Sequence, residues 1–379
     1  MDSKFKRPHT IGLVVGVVFV LGLVLAGWLV AKQQQTLVSG EPLETWLIQL
    51  PVNPVLQPES PVIDAIRKHP SKTIPALARI LNGPPPLRLR FHEALPSSLR
   101  QKINTTAPPS VSTRLFIAPN EWLQRQEKCL EALSLFPVDF ASEIIPILER
   151  ALRHPEASLQ RLVIRQIREF GPTAHDVAPA LENFLNSQDS SLRYESVKTL
   201  VTIGTVSSTG LERMISLFQD PSEMTQVAAL VAYSHLAVTT DRLPSQLAVT
   251  LESESSLVRS ATVKAIGRTA YHAPEAVGLL VKSMSDRESH VRRNAALAIA
   301  RVGPTAAPAT DVLIKALWDE QMEVRISAAE ALGAIGPAAK RAIPHLFDAL
   351  NNDFAGMGTP AHQAIRKIDS ASDRGISAR

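Results

Sequence analysis

The chain has 379 residues, of which 45% are hydrophobic, 20% are charged and only 5% are aromatic. This composition excludes a wholly disordered chain, and its Ala, Leu, Ile and Val content favours closely packed helices over a β-sandwich. The single cysteine, Cys129, excludes an intrachain disulfide and a multi-cysteine metal site.

The net charge of +4 is unevenly distributed along the chain. Residues 1–120 hold 13 Lys and Arg against 6 Asp and Glu, whereas residues 121–379 hold 27 against 30. The basic character therefore belongs to the N-terminal third. The slightly acidic balance of the remainder argues against a nucleic-acid-binding surface, so we expect no nucleic-acid partner.

Residues 11–31 form an uncharged apolar stretch. At 1.5 Å per residue a helix of this length spans about 30 Å, the thickness of a bilayer's hydrocarbon core. The cations before it are Lys4, Lys6 and Arg7. The positive-inside rule then predicts a single transmembrane signal-anchor with a cytoplasmic tail, residues 1–10, and a periplasmic or otherwise extracytoplasmic remainder. The alternative is a cleaved secretory signal, with a weak cleavage site at residues 24–26.

The segment after the anchor is rich in proline. Fourteen of the 28 prolines lie between residues 42 and 120, and proline interrupts helices. Residues 32–60 are predicted to be a tether with little structure beyond a short apolar stretch at Trp46, Leu47 and Ile48. Residues 61–82 are predicted to form a helical hairpin.

Residues 83–120 are predicted to be a Pro-rich basic insertion. Its cations are Arg88, Arg90, Arg100, Lys102 and Arg114, against Glu93 alone. One interpretation is a solvated loop. The other is contact with anionic lipid headgroups or an acidic partner, because the segment follows the membrane stretch closely.

From residue 121 onward the chain repeats itself every 33 residues, and internal repeats outweigh every other signal in the sequence. The first position of the phrase falls on Leu159, Leu192, Thr225, Val258, Val291, Val324 and Met357. Small or apolar residues follow four, eight and eleven positions later and form one stripe along a helix. The twelfth following position is Gly at 171, 204, 303 and 336, Ala at 237 and 270, and Asp at 369, and it predicts a helix C-cap.

A second leucine-rich phrase recurs at the same step, at Leu148, Leu181, Met214, Leu247, Leu280, Leu313 and Leu346. Each repeat is therefore predicted to contain a first helix, a turn, and a second helix. Residues 121–370 form the repeat region, and residues 371–379 form a tail.

The phrases DRESHVRRNAALAIARVGP and DEQMEVRISAAEALGAIGPAAKRAIPHLFDAL resemble short HEAT repeats of the PBS-lyase HEAT-like or HEAT_2 type. The resemblance covers residues 121 to about 370. It implies an all-α fold, a right-handed α-solenoid of about seven to eight two-helix repeats, which with residues 11–31 gives a solenoid carrying one N-terminal transmembrane helix. Such stacked repeats offer a long surface for another protein.

HEAT-like repeats place an Asp before the first helix and an Arg near its start. The matching residues here are Asp220, Asp286, Asp319, Arg193, Arg259, Arg292 and Arg325. We expect each Asp to cap a helix N-terminus and to accept a bidentate bond from a neighbouring Arg, as a structural ladder. The pattern is interrupted at Ser187 and Ser253 in the Asp position, and at Gln160, Gln226 and Gly358 in the Arg position.

Trp318 departs from the repeat pattern. The equivalent residues in the other repeats are polar: Arg153, Asn186, Gln219, Glu252, Ser285 and Asn351. An exposed Trp at such a position is a candidate protein-binding hot spot. The alternative is a Trp that folds over the following loop and is merely packed.

Catalytic motifs are missing from the sequence. No pair of histidines has the His-x-x-x-His spacing of a helical zinc site, and no Gly-rich phosphate loop or G-x-S-x-G elbow occurs. We therefore expect no metal, no cofactor and no enzymatic activity. The predicted function is a membrane-anchored scaffold that binds a protein. The alternatives are a repeat-built enzyme, either a lyase or a metal-dependent hydroxylase, and a structural envelope protein without a specific partner.

Overall fold

The computed structural model describes residues 37–38, 40–51, 59–84, 97–98, 119–236, 243–269, 274–351 and 357–373. These residues are helical apart from two very short strands, which confirms the all-helical fold. The chain divides into two compact units, Met1–Phe170 and Gly171–Arg379, which are described separately.

The predicted signal-anchor at residues 11–31 lies outside the described residues. Among the residues that are described, no helix is both long and apolar enough to cross a membrane. Most of the basic insertion, including Arg88, Arg90, Arg100 and Lys102, also lies outside them.

The first described segment of unit 1 has more structure than a tether. Strands β1 (Leu37–Val38) and β2 (Glu41–Pro42) pair antiparallel, and helix α1 (Leu43–Gln49) follows directly. Leu43 and Leu47 of α1 are buried, and the indole Nε1 of Trp46 donates a hydrogen bond to the carbonyl of Val38 at 2.8 Å. The prediction of little structure here is wrong, because the apolar residues of α1 find tertiary partners.

The rest of the described part of unit 1 contains the helices α2 (Pro61–Arg67), α3 (Pro70–Asn82), α4 (Pro119–Leu133), α5 (Ala141–Ala151) and α6 (Ala157–Glu169), with a 3-10 turn at Val138–Phe140. Proline begins α2 and α3, where its missing N–H costs nothing. Helix α4 packs on α1, α3 and α6. The Asn82 Nδ2 donates to the carbonyl of Ile147 at 2.9 Å and so ties the end of α3 to α5.

Unit 2 alternates first and second helices of the repeat. The first helices are α8 (Ser190–Ile203), α10 (Glu223–Leu236), α12 (Ser256–Thr269), α14 (Ser289–Val302), α16 (Met322–Ile335) and α18 (Gly358–Asp373). The second helices are α7 (Ala178–Glu182), α9 (Ser208–Ser216), α11 (Gln246–Thr250), α13 (Pro274–Ser283), α15 (Thr310–Ala316) and α17 (Ile343–Asn351). Within unit 2, consecutive first helices from α8 to α18 pack on each other.

The predicted apolar stripe forms the core of unit 2. In α14 its members are Val291, Ala295, Ile299 and Val302, and all four are buried. The same positions are buried in the other first helices, except that Leu236 and Ile365 are partly exposed. Because consecutive stripes face each other, the core is continuous from repeat to repeat.

Glycine ends three of these helices as predicted. Gly204, Gly303 and Gly336 have φ values of 80°, 70° and 72°, which a residue with a Cβ adopts only at a cost. The prediction of a C-cap at Asp369 is wrong, because α18 continues through it to Asp373. Unlike glycine, Asp369 does not readily adopt the positive φ of a C-cap, and no proline follows it to stop the helix.

Two glycines allow neighbouring first helices to approach closely. A Cβ added to Gly267 would lie 2.5 Å from the Cβ and 3.0 Å from the Cα of Ala298. A Cβ added to Gly333 would lie 2.9 Å from the Cα of Ala364. The separations of α12 from α14 and of α16 from α18 therefore depend on these glycines.

We expect Gly267→Ala to destabilise the fold by about 1–3 kcal/mol, because α12 and α14 must move apart to accept the methyl group. The matched control is Gly278→Ala, since Gly278 is an exposed helical glycine with no atom within 4 Å of its added Cβ. That control should gain about 0.5–1 kcal/mol from helix propensity. Thermal unfolding followed by circular dichroism measures both, and equal shifts for the two variants would contradict the close-approach argument.

Candidate functional site

Three arginine–aspartate pairs connect the loops of consecutive repeats in unit 2. The pairs are Arg193–Asp220, Arg259–Asp286 and Arg292–Asp319. In each pair the Arg Nε donates to Oδ2 at 2.6–2.7 Å and the Arg Nη2 donates to Oδ1 at 2.8–2.9 Å. Each pair therefore has the bidentate geometry in which guanidinium and carboxylate bind most strongly.

The same guanidinium also holds the loop before its own helix. The Arg292 Nη1 donates to the carbonyls of Asp286 at 2.8 Å and Arg287 at 3.2 Å. Each arginine of the three pairs therefore fixes two loops at once. Arg325 makes the local bonds, to the carbonyls of Asp319 and Glu320 at 2.8 and 3.1 Å. The residue 27 positions after it, residue 352, lies outside the described part of the chain.

The three aspartates do not lie at helix N-caps. Asp286 accepts the backbone N–H of Glu288 at 2.9 Å, and Asp319 accepts that of Gln321 at 3.0 Å. The N-cap residues of α14 and α16 are Glu288 and Gln321, which make no side-chain cap. The expected capping role is therefore corrected to an Asx-type turn two residues earlier, because the carboxylate bonds the N–H of the N-cap residue and not an N–H of the first helical turn.

Where the Arg–Asp pattern is interrupted, the hydrogen bonds within the loop are kept, but the bidentate pair between repeats is absent. Ser187 and Ser253 accept the N–H two residues later, at 3.2 and 3.3 Å, as the aspartates do. In unit 1 the Gln160 Nε2 donates to the loop carbonyls of Leu152 and His154, and in unit 2 the Gln226 Nε2 donates to that of Asp220. A serine hydroxyl or a glutamine amide is neutral and shorter, so it supports the turn without a bidentate pair.

Opposing influences set the pKa of the paired carboxyls. Burial raises the pKa of Asp286. The hydrogen bonds from Arg259 and from the Glu288 N–H, together with the charges of Arg259 and Arg287, lower it by a larger amount, so the net shift is downward. The pKa of Asp319 is lowered in the same way, with Arg292 as the donor. Because the folded pKa values of Asp286 and Asp319 lie below the unfolded ones, these two carboxylates stabilise the fold above pH ~3.9, and this contribution is lost as the pH falls below that value.

Trp318 lies directly before Asp319, at the end of α15. Its side chain is 44% exposed, and its backbone N–H donates to the carbonyl of Lys315 at 3.1 Å. Met322, at the start of the next helix, is 39% exposed, and Phe347 of α17 is 49% exposed. Asp319, which pairs with Arg292 of α14, lies in the turn between Trp318 and Met322, so the backbone that carries both side chains is fixed.

Glu182 is a buried carboxylate that the sequence reasoning missed. Its Oε1 accepts the backbone N–H of Ser207 and its Oε2 accepts the Ser207 hydroxyl, both at 2.6 Å. A Cβ on Gly210 would lie 2.3 Å from the Glu182 carboxyl carbon, so the glycine makes room for it. The unusual Ser-Ser-Thr-Gly run at the start of α9 was the available signal. The cluster stabilises the helix start rather than presenting a reactive group.

A cavity of about 670 Å³ lies within unit 1. Its lining includes Trp122, Gln126, Arg150, Arg153 and His154. The Gln126 Nε2 donates to the carbonyl of Leu81 at 2.9 Å, and its Oε1 is buried without a hydrogen-bond partner. Gly83 and Asn120 also line the cavity. The cavity therefore opens beside the two ends of the basic insertion.

Titratable side chains do not assemble into a metal site in the described ranges, where no group of three His, Cys, Asp or Glu residues is arranged to hold an ion. Cys129 is fully buried. Burial, and then the negative charge of Glu44, raise the pKa of its thiol far above the ordinary range, whereas Arg125 lowers it slightly. The thiol is therefore protonated and unreactive at neutral pH.

Two family models match the chain. The model described as HEAT repeats matches residues 243–321, and the model described as HEAT repeat matches residues 310–339. No curated protein is similar to the chain in sequence. The chain is thus an all-helical repeat protein that contains HEAT repeats.

A solved structure shares the fold. An engineered protein, determined by crystallography at the Northeast Structural Genomics Consortium, is 19% identical, with a TM-score of 0.53 over 90% of this chain and 98% of its own. A second engineered protein from the same consortium is 22% identical, with a TM-score of 0.36 over 60% of this chain and 97% of its own. The first similarity supports the helical repeat fold alone.

Replacing the guanidinium of one pair should destabilise unit 2. We expect Arg292→Lys to cost about 1–3 kcal/mol, because a lysine cannot make the bidentate bond and hold the preceding loop as well. The matched control is Arg341→Lys, since the Arg341–Asp311 pair is 56% and 70% exposed. An exposed pair contributes about 0–1 kcal/mol. If urea unfolding shows the same loss for both variants, the loops do not depend on the pairs.

Proposed function

We propose that the protein is a membrane-anchored HEAT-repeat scaffold whose unit 2 binds another protein. The exposed Trp318 is the observation that carries the proposal. It occupies a position at which six other repeats have polar residues, and it is 44% exposed. Tryptophan is the residue most enriched at protein-binding hot spots.

The surroundings of Trp318 suit a binding surface. Met322 and Phe347, both in the repeat that follows Trp318, are further exposed apolar side chains. The pair Arg292–Asp319 fixes the turn that follows Trp318. A fixed backbone lowers the entropy lost on binding, so an exposed aromatic side chain there contributes more to affinity than the same side chain on a flexible loop.

The membrane part of the proposal rests on the sequence. Residues 11–31 have the length and composition of a transmembrane helix, and the cations before them orient it with the N-terminus in the cytoplasm. The repeat units would then face the periplasm or the cell exterior. The basic insertion, with Arg88, Arg90, Arg100 and Lys102, would follow the membrane segment closely enough to contact anionic lipid.

We expect Trp318→Ala to weaken capture of a protein partner from native membranes by about tenfold or more, as hot-spot truncations do. The control is Met224→Ala, which removes another exposed apolar side chain of unit 2, 58% exposed, from a different repeat. Quantitative mass spectrometry of proteins cross-linked to the full chain measures the capture. A partner retained equally by wild type and Trp318→Ala would remove Trp318 from the proposal.

Mass spectrometry of the mature chain tests the anchor separately. Retention of residues 11–31, together with resistance of the chain to carbonate extraction from membranes, is the expected result. A mature N-terminus at Gly27 would show that the segment is a cleaved signal, and the scaffold would then be released from the membrane.

A further inference from the structure

We infer that unit 2 has a second docking surface, a basic groove across α10, α12 and α14, that binds an extended acidic segment of a protein. The inference rests on the proposed function only in assuming that the protein binds other proteins. The groove residues lie on first helices of the repeat, whereas Trp318 follows a second helix.

The groove lies on the first helices of three consecutive repeats and has a volume of about 160 Å³. Its lining residues are Val231, Ser234, His235, Ala261, Lys264, Arg268, Asn294, Leu297 and Arg301. The side chains of Lys264, Arg268 and Arg301 are exposed at its edges. The groove therefore combines apolar residues, Val231, Ala261 and Leu297, with the polar Ser234 and Asn294, and it carries three exposed cations.

A histidine and two of the cations follow the repeat. His235, Arg268 and Arg301 are 33 residues apart and so occupy one position in three consecutive repeats. The Arg268 Nη1 lies 2.9 Å from the Nε2 of His235, which shows that this column is continuous across neighbouring helices. The equivalent residues on either side are Thr202 and Ala334. The column is thus confined to three repeats and is not a general property of the solenoid.

These cations are not neutralised within the part of the chain that the structure describes. No carboxylate lines the groove, and none of Lys264, Arg268 and Arg301 forms an ion pair there. Lys264 and Arg268 are four residues apart on one helix, where like charges repel. Such a cluster lowers folding stability unless an anionic group binds to it. The cluster contrasts with the repeat region as a whole, which carries more acidic than basic residues.

The spacing of the column fits an extended acidic peptide. Packed helices lie about 8–10 Å apart, so the cations recur at that interval across the groove. A polyproline II chain has three residues per turn and rises about 3.1 Å per residue, which brings every third side chain to the same side at intervals of about 9 Å. Carboxylates at every third position can therefore meet consecutive arginines.

The interior of the groove has room for an apolar side chain of the same peptide. Val231 is 40% exposed, Leu297 is half-buried, and the buried Ala261 lies between them in sequence and forms part of the lining. Two apolar walls flanked by cations favour an acidic segment with leucine or a similar residue between its carboxylates. A bare polyanion would leave these walls in water.

Fluorescence anisotropy with a labelled nonapeptide tests the inference on the full chain in a nonionic detergent at low salt. The probe has the sequence Gly-Glu-Leu-Pro-Glu-Leu-Pro-Glu-Gly, with glutamate at every third position. Wild type should bind it, and the variant Arg268→Glu/Arg301→Glu should bind at least about tenfold more weakly. The matched control is Lys315→Glu/Lys340→Glu, which makes the same charge change at exposed residues outside the groove and should bind as wild type does.

Three outcomes would overturn the inference. One is equal binding of a peptide with the same composition whose three glutamates are consecutive, since that would show unspecific charge attraction. Another is equal weakening by the two charge-reversed variants. The third is binding of dihexanoyl phosphatidylglycerol, but not of the peptide, in a manner that requires Arg268 and Arg301, which would assign the groove to a lipid surface. Trp318→Ala should bind the nonapeptide normally, so failure of one proposal is separable from failure of the other.

Discussion

A two-helix repeat has too little surface to bury its own apolar stripe, and every other feature of unit 2 follows from that constraint. The stripe of α14 is buried because the first helices before and after it face it. Small residues at the contact, such as Gly267 against Ala298, let the helices approach closely enough to exclude water. Each repeat is therefore stable only as part of the stack.

The bidentate pairs fix the arrangement of the loops, which apolar contact alone does not do. Burying a stripe is insensitive to small rotations of one repeat against the next. A guanidinium that bonds a carboxylate at 2.6–2.9 Å and two carbonyls of its own loop accepts little rotation. Where glutamine or serine replaces one partner, the turn persists and the connection to the next repeat is absent. The rigidity of unit 2 is therefore uneven along the stack.

This unevenness bears on the two surfaces that we propose for binding. Trp318 lies beside an intact pair, so its backbone is fixed, and the groove of Arg268 and Arg301 spans α12 and α14, which the Arg259–Asp286 pair also connects. Both surfaces occur where the sequence departs from the repeat. The Arg259–Asp286 pair holds the α12–α14 side of the groove, whereas at its α10–α12 side Gln226 and Ser253 make only local bonds. A repeat protein gains specificity in this way, since identical repeats offer identical surfaces.

The sequence by itself determined the repeat, its period, the buried stripe and the glycine C-caps, because these depend on local periodicity and backbone conformation. It also identified the Arg and Asp residues as candidate partners, because they recur at a constant spacing in the HEAT-like repeats. Only the tertiary structure decided which Asp each Arg bonds, that the Asp supports a turn rather than a helix N-cap, and that α1 packs instead of serving as a tether. Those outcomes depend on which groups meet in space. The groove shows the same division. Its arginines occupy the same position in consecutive repeats, which the sequence shows, but only the stacking of the helices places them side by side.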